Sequence, residues 1–166
     1  MFEKINVSGI VRDHLRTLKN FAANRVSAGD ILLFFVLPAL ASLLLVLVLH
    51  FSLDNSAINV LITSLSVFSA LLFNLLILIY DILRKERAAK PPNTLRVQFL
   101  DQISANISFS ILVAVIAIAL VLLLFIKVEF PPWTAALNLA INFLVINFIL
   151  TLLMVLKRVH ILITTP

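Results

Sequence analysis

Apolar residues gather along the chain into four unbroken runs, at residues 31–51, 58–83, 103–126 and 133–156, and the polar residues collect between them. Each run is at least 20 residues long, and at about 1.5 Å rise per residue a helix of that length crosses a hydrocarbon layer of roughly 30 Å. The second run is the longest and is expected to tilt or to project from the bilayer. Neither LLLVLVLHF nor ILVAVIAIALVLLLFI alternates polar with apolar positions, which argues against a membrane β-barrel. The predicted fold is all-α: four transmembrane helices in a bundle, preceded by an amphipathic helix at the interface. Residues 1–30 form the leading segment, 31–158 the membrane domain with a loop at 84–102, and 159–166 a short tail.

The segments between the runs carry patterns of their own. In the first 26 residues Val7, Ile10, Val11, Leu15, Leu18, Phe21, Ala22 and Val26 recur at three- and four-residue spacing, with Arg12, Asp13, Arg16, Lys19 and Asn20 on the remaining arc. This is the signature of an amphipathic helix. Beside a membrane span it lies in the headgroup layer or docks a partner and relays its state. Gly29 permits a bend, and Asp30 is a candidate N-cap for the first span. In the middle loop a helix end rich in Arg and Lys runs into Pro91 and Pro92, then into a second amphipathic stretch. Both connections on the opposite side, residues 52–57 and 127–132, are short enough to be tight hairpins. The second includes Lys127, Glu129 and the Pro131-Pro132-Trp133 turn, whose indole suits an interfacial anchor.

Inside the spans the polar residues are few and ordered. At 100° per residue, Asn59, Thr63, Ser66, Ala70, Asn74, Ile77 and Asp81 fall within an arc of about 80° on the second span. A stripe of this kind packs helices closely or, in an assembly of several copies, lines a water-filled path; Asn59, Thr63, Ser66, Ala70 and Asn74 are its candidate residues. The third span adds Gln102, Asn106 and Ser110. The fourth places Asn138 and Asn142 on one face and Asn147 and Thr151 on another. Two polar faces on one helix call for two packing partners, so Asn106, Asn138, Asn142, Asn147 and Thr151 are candidate subunit contacts and a homo-oligomer is expected.

Composition and charge sharpen this picture. Sixty-two per cent of the 166 residues are hydrophobic and 13% charged, far from the roughly even balance of soluble domains. The net charge of +5 would hint at nucleic acid in a soluble chain, but here it sets orientation. Every Lys and Arg except Lys127 lies in the leading segment, in the middle loop or, as Lys157 and Arg158, just past the fourth run. The positive-inside rule then puts both termini in the cytoplasm of a bacterial inner membrane. The leading segment carries mixed charge and the first run is too long for a signal-peptide core, so no cleavage is expected. Arg12, Arg16, Lys19 and Arg25, with Arg84, Lys85, Arg87 and Lys90, form a basic face for lipid phosphates or for a cytoplasmic protein partner; no nucleic-acid motif accompanies them.

The same inventory narrows the chemistry. There is no cysteine, hence no disulfide or thiolate site. His14, His50 and His160 are scattered, no carboxylate pair sits at depth, and two glycines cannot build a phosphate-binding loop. Neither an enzyme nor a metal or cofactor site is expected. No run carries a charged residue near its centre and only Pro38 breaks one, so a coupled transporter is disfavoured. The Ser-bearing second span LITSLSVFSALLFNLLILIYD, the basic stretch LRKERAAK and the entry ISANISFS into the third span give the chain an organisation that resembles the small four-span inner-membrane effectors of bacterial anti-phage, or abortive-infection, systems, of the Rex B type. That resemblance implies a protein that permeabilises or depolarises the inner membrane when infection triggers it. The competing expectation is an anchoring or structural subunit that recruits a cytoplasmic partner.

Overall fold

The computed structural model describes residues 6–20, 25, 26, 28–126 and 131–164. Helix α1 is Ser8–Thr17. A two-residue ladder follows, β1 (Lys19–Asn20) against β2 (Arg25–Val26), antiparallel. Helix α2 is continuous but changes winding: α over Ala28–Ile31, π over Leu32–Val36, α over Leu37–Leu43 and π over Leu44–Val48. Helices α3 (Asn55–Ala88), α4 (Thr94–Leu123) and α5 (Pro131–Thr164) complete the chain.

Four of these helices are long and apolar enough to cross a membrane, which makes the protein a multi-pass membrane protein. Lengths of 34, 30 and 34 residues exceed the roughly 20 that a bilayer requires, so α3, α4 and α5 extend past the hydrocarbon. Asp54 caps α3 by accepting a hydrogen bond from the Ala57 amide at 2.8 Å. Asn93 caps α4 from the Arg96 amide at 3.1 Å, just after Pro91-Pro92 ends the preceding helix.

The spans form a row in the order α3, α4, α5, α2, with α1 laid against α4. Helix α4 is the axis of the fold. Leu100, Ile103, Ile107, Ala114, Ala117 and Val121 have no exposed surface, and the small Ser110, Ala114 and Ala117 let neighbouring backbones approach. Helix α3 answers with Ile58, Leu65, Leu72 and Ile79, all buried and spaced seven apart, the repeat of a left-handed helix crossing. At mid-depth Phe68 of α3 reaches Phe148 of α5, ring centroids 6.2 Å apart.

Helix α2 joins the row through a backbone defect. Pro38 has no amide hydrogen, so in α-helical winding the carbonyl of Phe34, four residues earlier, loses its donor. In hydrocarbon such a carbonyl must be served by another part of the protein. The Asn147 side chain of α5 does so, its Nδ2 donating to Phe34 O at 2.7 Å. At the far end Asn138 Oδ1 accepts from the Leu53 amide at 3.5 Å.

Several expectations are corrected here. The N-terminal helix stops at Thr17 instead of running to residue 26: the Leu18 amide closes on Leu15 O at 3.3 Å, tightening the last turn, and the chain enters the β1–β2 pairing. Phe21 and Ala22 lie outside the described residues, as do Lys127 and Glu129. Gly29 and Asp30 belong to the first turn of α2, which starts at Ala28, so Asp30 is not its N-cap. Asn106, Asn138, Asn147 and Thr151, expected at subunit contacts, are buried within the single chain, where α2 covers the Asn147 face of α5. Asn142 is half-buried and donates to Asn138 O at 2.8 Å within its own helix.

Replacing Asn147 by Leu is expected to destabilise the detergent-solubilised protein by about 1–2 kcal/mol. Pro38→Ala in the same chain should recover most of that loss by restoring the donor to Phe34 O. Thermal unfolding of the two single variants and the double variant checks the coupling.

Candidate functional site

Two features stand apart from ordinary helix packing: a closed polar cluster beneath α1, and an open polar stripe along α3.

The cluster is built on His14. Its ring is stacked on Phe109 of α4, centroids 3.8 Å apart and planes 3° from parallel, and it meets Phe34 of α2 edge-on at 6.3 Å. His14 has no exposed surface. Its Nδ1 lies 2.9 Å from Asn106 Oδ1, which also accepts from the Thr17 hydroxyl at 2.7 Å. An acceptor at that distance puts the ring proton on Nδ1. The Thr17 hydroxyl stands 2.8 Å from His14 O as well, and shares its one proton between the two acceptors. Arg158 of α5 closes the group from below, Nη2 donating to Thr17 O at 3.1 Å. Three helices thus meet α1 at one point. His14 Nε2 and Asn106 Nδ2 are buried with no hydrogen-bond partner, so the cluster holds α1 in one register at the cost of two unmatched groups.

Burial, foremost, pushes the His14 pKa from 6.5 to about 4; the Asn106 hydrogen bond opposes this and the nearby Arg158 charge adds to it. The sign follows from linkage. Between pH 6.5 and about 4 the undocked imidazole binds a proton that the docked one refuses, so docking of α1 is fully stable above the free value and weakens as pH falls through that window.

His14 was legible only as one of three scattered histidines. The signal that would have found it is angular: at 100° per residue His14 falls between Ile10 and Val7 on the apolar arc. On the structure the buried face of α1 is His14 and Thr17, continued by Leu18 just past its end, with Ile10 and Val11 packed behind, while Val7 and Leu15 stay exposed.

The stripe on α3 lies on the other side of the molecule. The buried residues Ile58, Leu65, Leu72 and Ile79 and the stripe Asn59, Thr63, Ser66, Ala70 and Asn74 are separated by roughly 150° around the helix axis. All five stripe residues are exposed on the outer surface of the row, and so are Ile77 and Asp81. None of the described hydrogen bonds uses the side chains of Asn59, Thr63, Ser66 or Asn74. By contrast, Ser69 beside them donates back to Leu65 O at 2.7 Å.

The basic residues divide. Arg12 and Arg16 are exposed on α1, with Arg16 3.4 Å from Asp13. Arg84, Lys85, Arg87 and Lys90 are exposed where α3 ends. Arg87 pairs with Asp101 at 2.7 Å and Glu86 with Arg96 at 3.1 Å, which straps α3 to α4 beyond the apolar runs. The side chains of Lys19 and Arg25 lie outside the described part of the structure.

These features define a class, a helical multi-pass membrane protein with a docked N-terminal helix. No protein-family model matches the chain, and comparison with curated proteins and with solved structures returns no match.

Acidification from pH 7 to 4.5 is expected to lower the protection factors of residues 8–17, after correction for the intrinsic pH dependence of exchange, more than those of α4, and His14→Gln should flatten that pH response. Exchange mass spectrometry on the solubilised protein reads both.

Proposed function

We propose that the protein is a non-enzymatic, oligomeric inner-membrane protein that assembles through the outer face of α3 and, when activated, permeabilises the membrane along that face. One observation carries the reading: Asn59, Thr63, Ser66 and Asn74 point away from the chain's own core, on a helix whose outer surface would otherwise meet lipid. Amide and hydroxyl groups facing hydrocarbon are unfavourable, and bonding across helices returns about 0.6–2 kcal/mol per group. A second copy, or water held between copies, supplies the missing partners. The docked α1 helix is the part that receives the trigger in this reading, since its release removes contacts from α2, α4 and α5 together. The resemblance to abortive-infection effectors makes phage infection the occasion.

The test replaces Ser66 and Asn74 by Leu. On induced expression in bacteria, the native chain is expected to depolarise the membrane, read by a voltage-sensitive dye, and the double variant to insert normally without depolarising it. Depolarisation that persists undiminished in the variant would refute the role of the stripe.

A second reading, an anchor for a cytoplasmic partner, is favoured by the end of α3, where Arg84 and Lys85 are exposed on a helix that outruns the bilayer and Lys90 is exposed just beyond it. A stoichiometric partner that co-purifies with the chain and is lost on charge reversal of these three residues, with membrane potential unaffected, would favour it.

A further inference from the structure

At the end of the bundle that carries α1, a cavity of about 590 Å³ opens between α2 and α5 beside Thr17. Its charged lining residues, Asp30, Lys157 and Arg158, stand toward the outer end, with Ile161 a turn beyond them, and Leu33, Leu150 and Leu153 lie one to two turns further toward the apolar centre. Leu33 and Leu153 are 42% and 55% exposed, so the apolar half opens sideways to the surface that faces lipid. The charged half sits where the apolar runs end, at headgroup depth.

The charges at this rim are not consumed within the chain. Arg158 uses Nη2 on Thr17 O, while its Nη1 is buried with no hydrogen-bond partner. Lys157 is exposed and takes part in none of the described ion pairs. Asp30 is near enough to act electrostatically on the guanidinium but makes no ion pair with it. Two cations and one carboxylate leave one net positive charge, which a single phosphodiester neutralises. Charged groups at the rim and an apolar trough leading toward the bilayer centre match the head and tail of one lipid molecule, whereas a free phosphate would leave the trough without a counterpart.

We propose that this cavity binds a glycerophospholipid, its phosphodiester held by Lys157 and Arg158 and one acyl chain laid along Leu33, Leu150 and Leu153. The site is independent of the α3 stripe. Because Arg158 also holds Thr17, lipid bound there adds weight to the side of α5 on which α1 is docked.

The experiment uses the full chain in mild detergent, with native mass spectrometry reading retention of phosphatidylglycerol, of diacylglycerol and of inorganic phosphate. Lys157→Ala removes a phosphate ligand, and Leu153→Trp fills the trough; neither residue belongs to the His14 cluster, and circular dichroism confirms their folding. The expected result is one phosphatidylglycerol retained per chain, weakened roughly tenfold in each variant, which corresponds to about 1.4 kcal/mol. Diacylglycerol should be retained far less. Three outcomes would overturn the proposal: equal retention in wild type and both variants, diacylglycerol held as firmly as the phospholipid, or phosphate binding that depends on Lys157 while lipid retention ignores Leu153→Trp. Repeating the measurement on Ser66→Leu/Asn74→Leu separates this site from the assembly reading, since lipid retention there should be unchanged.

Discussion

Within hydrocarbon a backbone carbonyl that loses its helical donor finds no water to replace it, and the Phe34 carbonyl is such a group. Pro38 removes the donor, two stretches of α2 relax into π winding, and Asn147 reaches across from α5 to supply a hydrogen at 2.7 Å. The placement of α2 depends on that contact. Were α2 an unbroken apolar helix, little beyond van der Waals packing would fix it against α5, since lipid tails are as apolar as leucine. The defect and its repair give the first span a definite partner and a definite register.

The N-terminal helix depends on the same region. Phe34, whose carbonyl Asn147 takes up, offers its ring edge to His14, so the repaired turn of α2 forms one wall of the socket that receives α1. The opposite wall is Phe109 and Asn106 of α4, and Arg158 of α5 completes it. A helix that would bind a headgroup layer by its apolar stripe is held instead by a stacked imidazole and a shared asparagine. Two polar atoms of that socket, His14 Nε2 and Asn106 Nδ2, have no hydrogen-bond partner, which lessens what docking gains.

The outward stripe of α3 poses the opposite situation, polar groups with no partner among the described residues. Its position follows from the seven-residue repeat of Ile58, Leu65, Leu72 and Ile79: once that ridge is seated on α4, Asn59, Thr63, Ser66 and Asn74 are turned away by geometry. An exposed polar face at one edge of the row and a cavity between α2 and α5 near the other are both consequences of arranging the spans in a row.

The sequence alone determined the four membrane-spanning helices, the break at Pro91-Pro92, the defect at Pro38 and the grouping of polar residues on α3, though not the helix limits, since α4 starts nine residues before its apolar run and α5 ends eight after. These are consequences of period and composition, read locally without knowing which helix is whose neighbour. Only the tertiary structure decided that Asn147 of α5 faces α2 within one chain, that α1 ends at Thr17, and that His14 is the buried centre of its docking face. The reason is physical: a polar residue in an apolar run states that a partner is needed, not where it is. For Asn147 the partner is a carbonyl freed 113 residues earlier in the chain, a demand that exists only once α2 and α5 lie side by side.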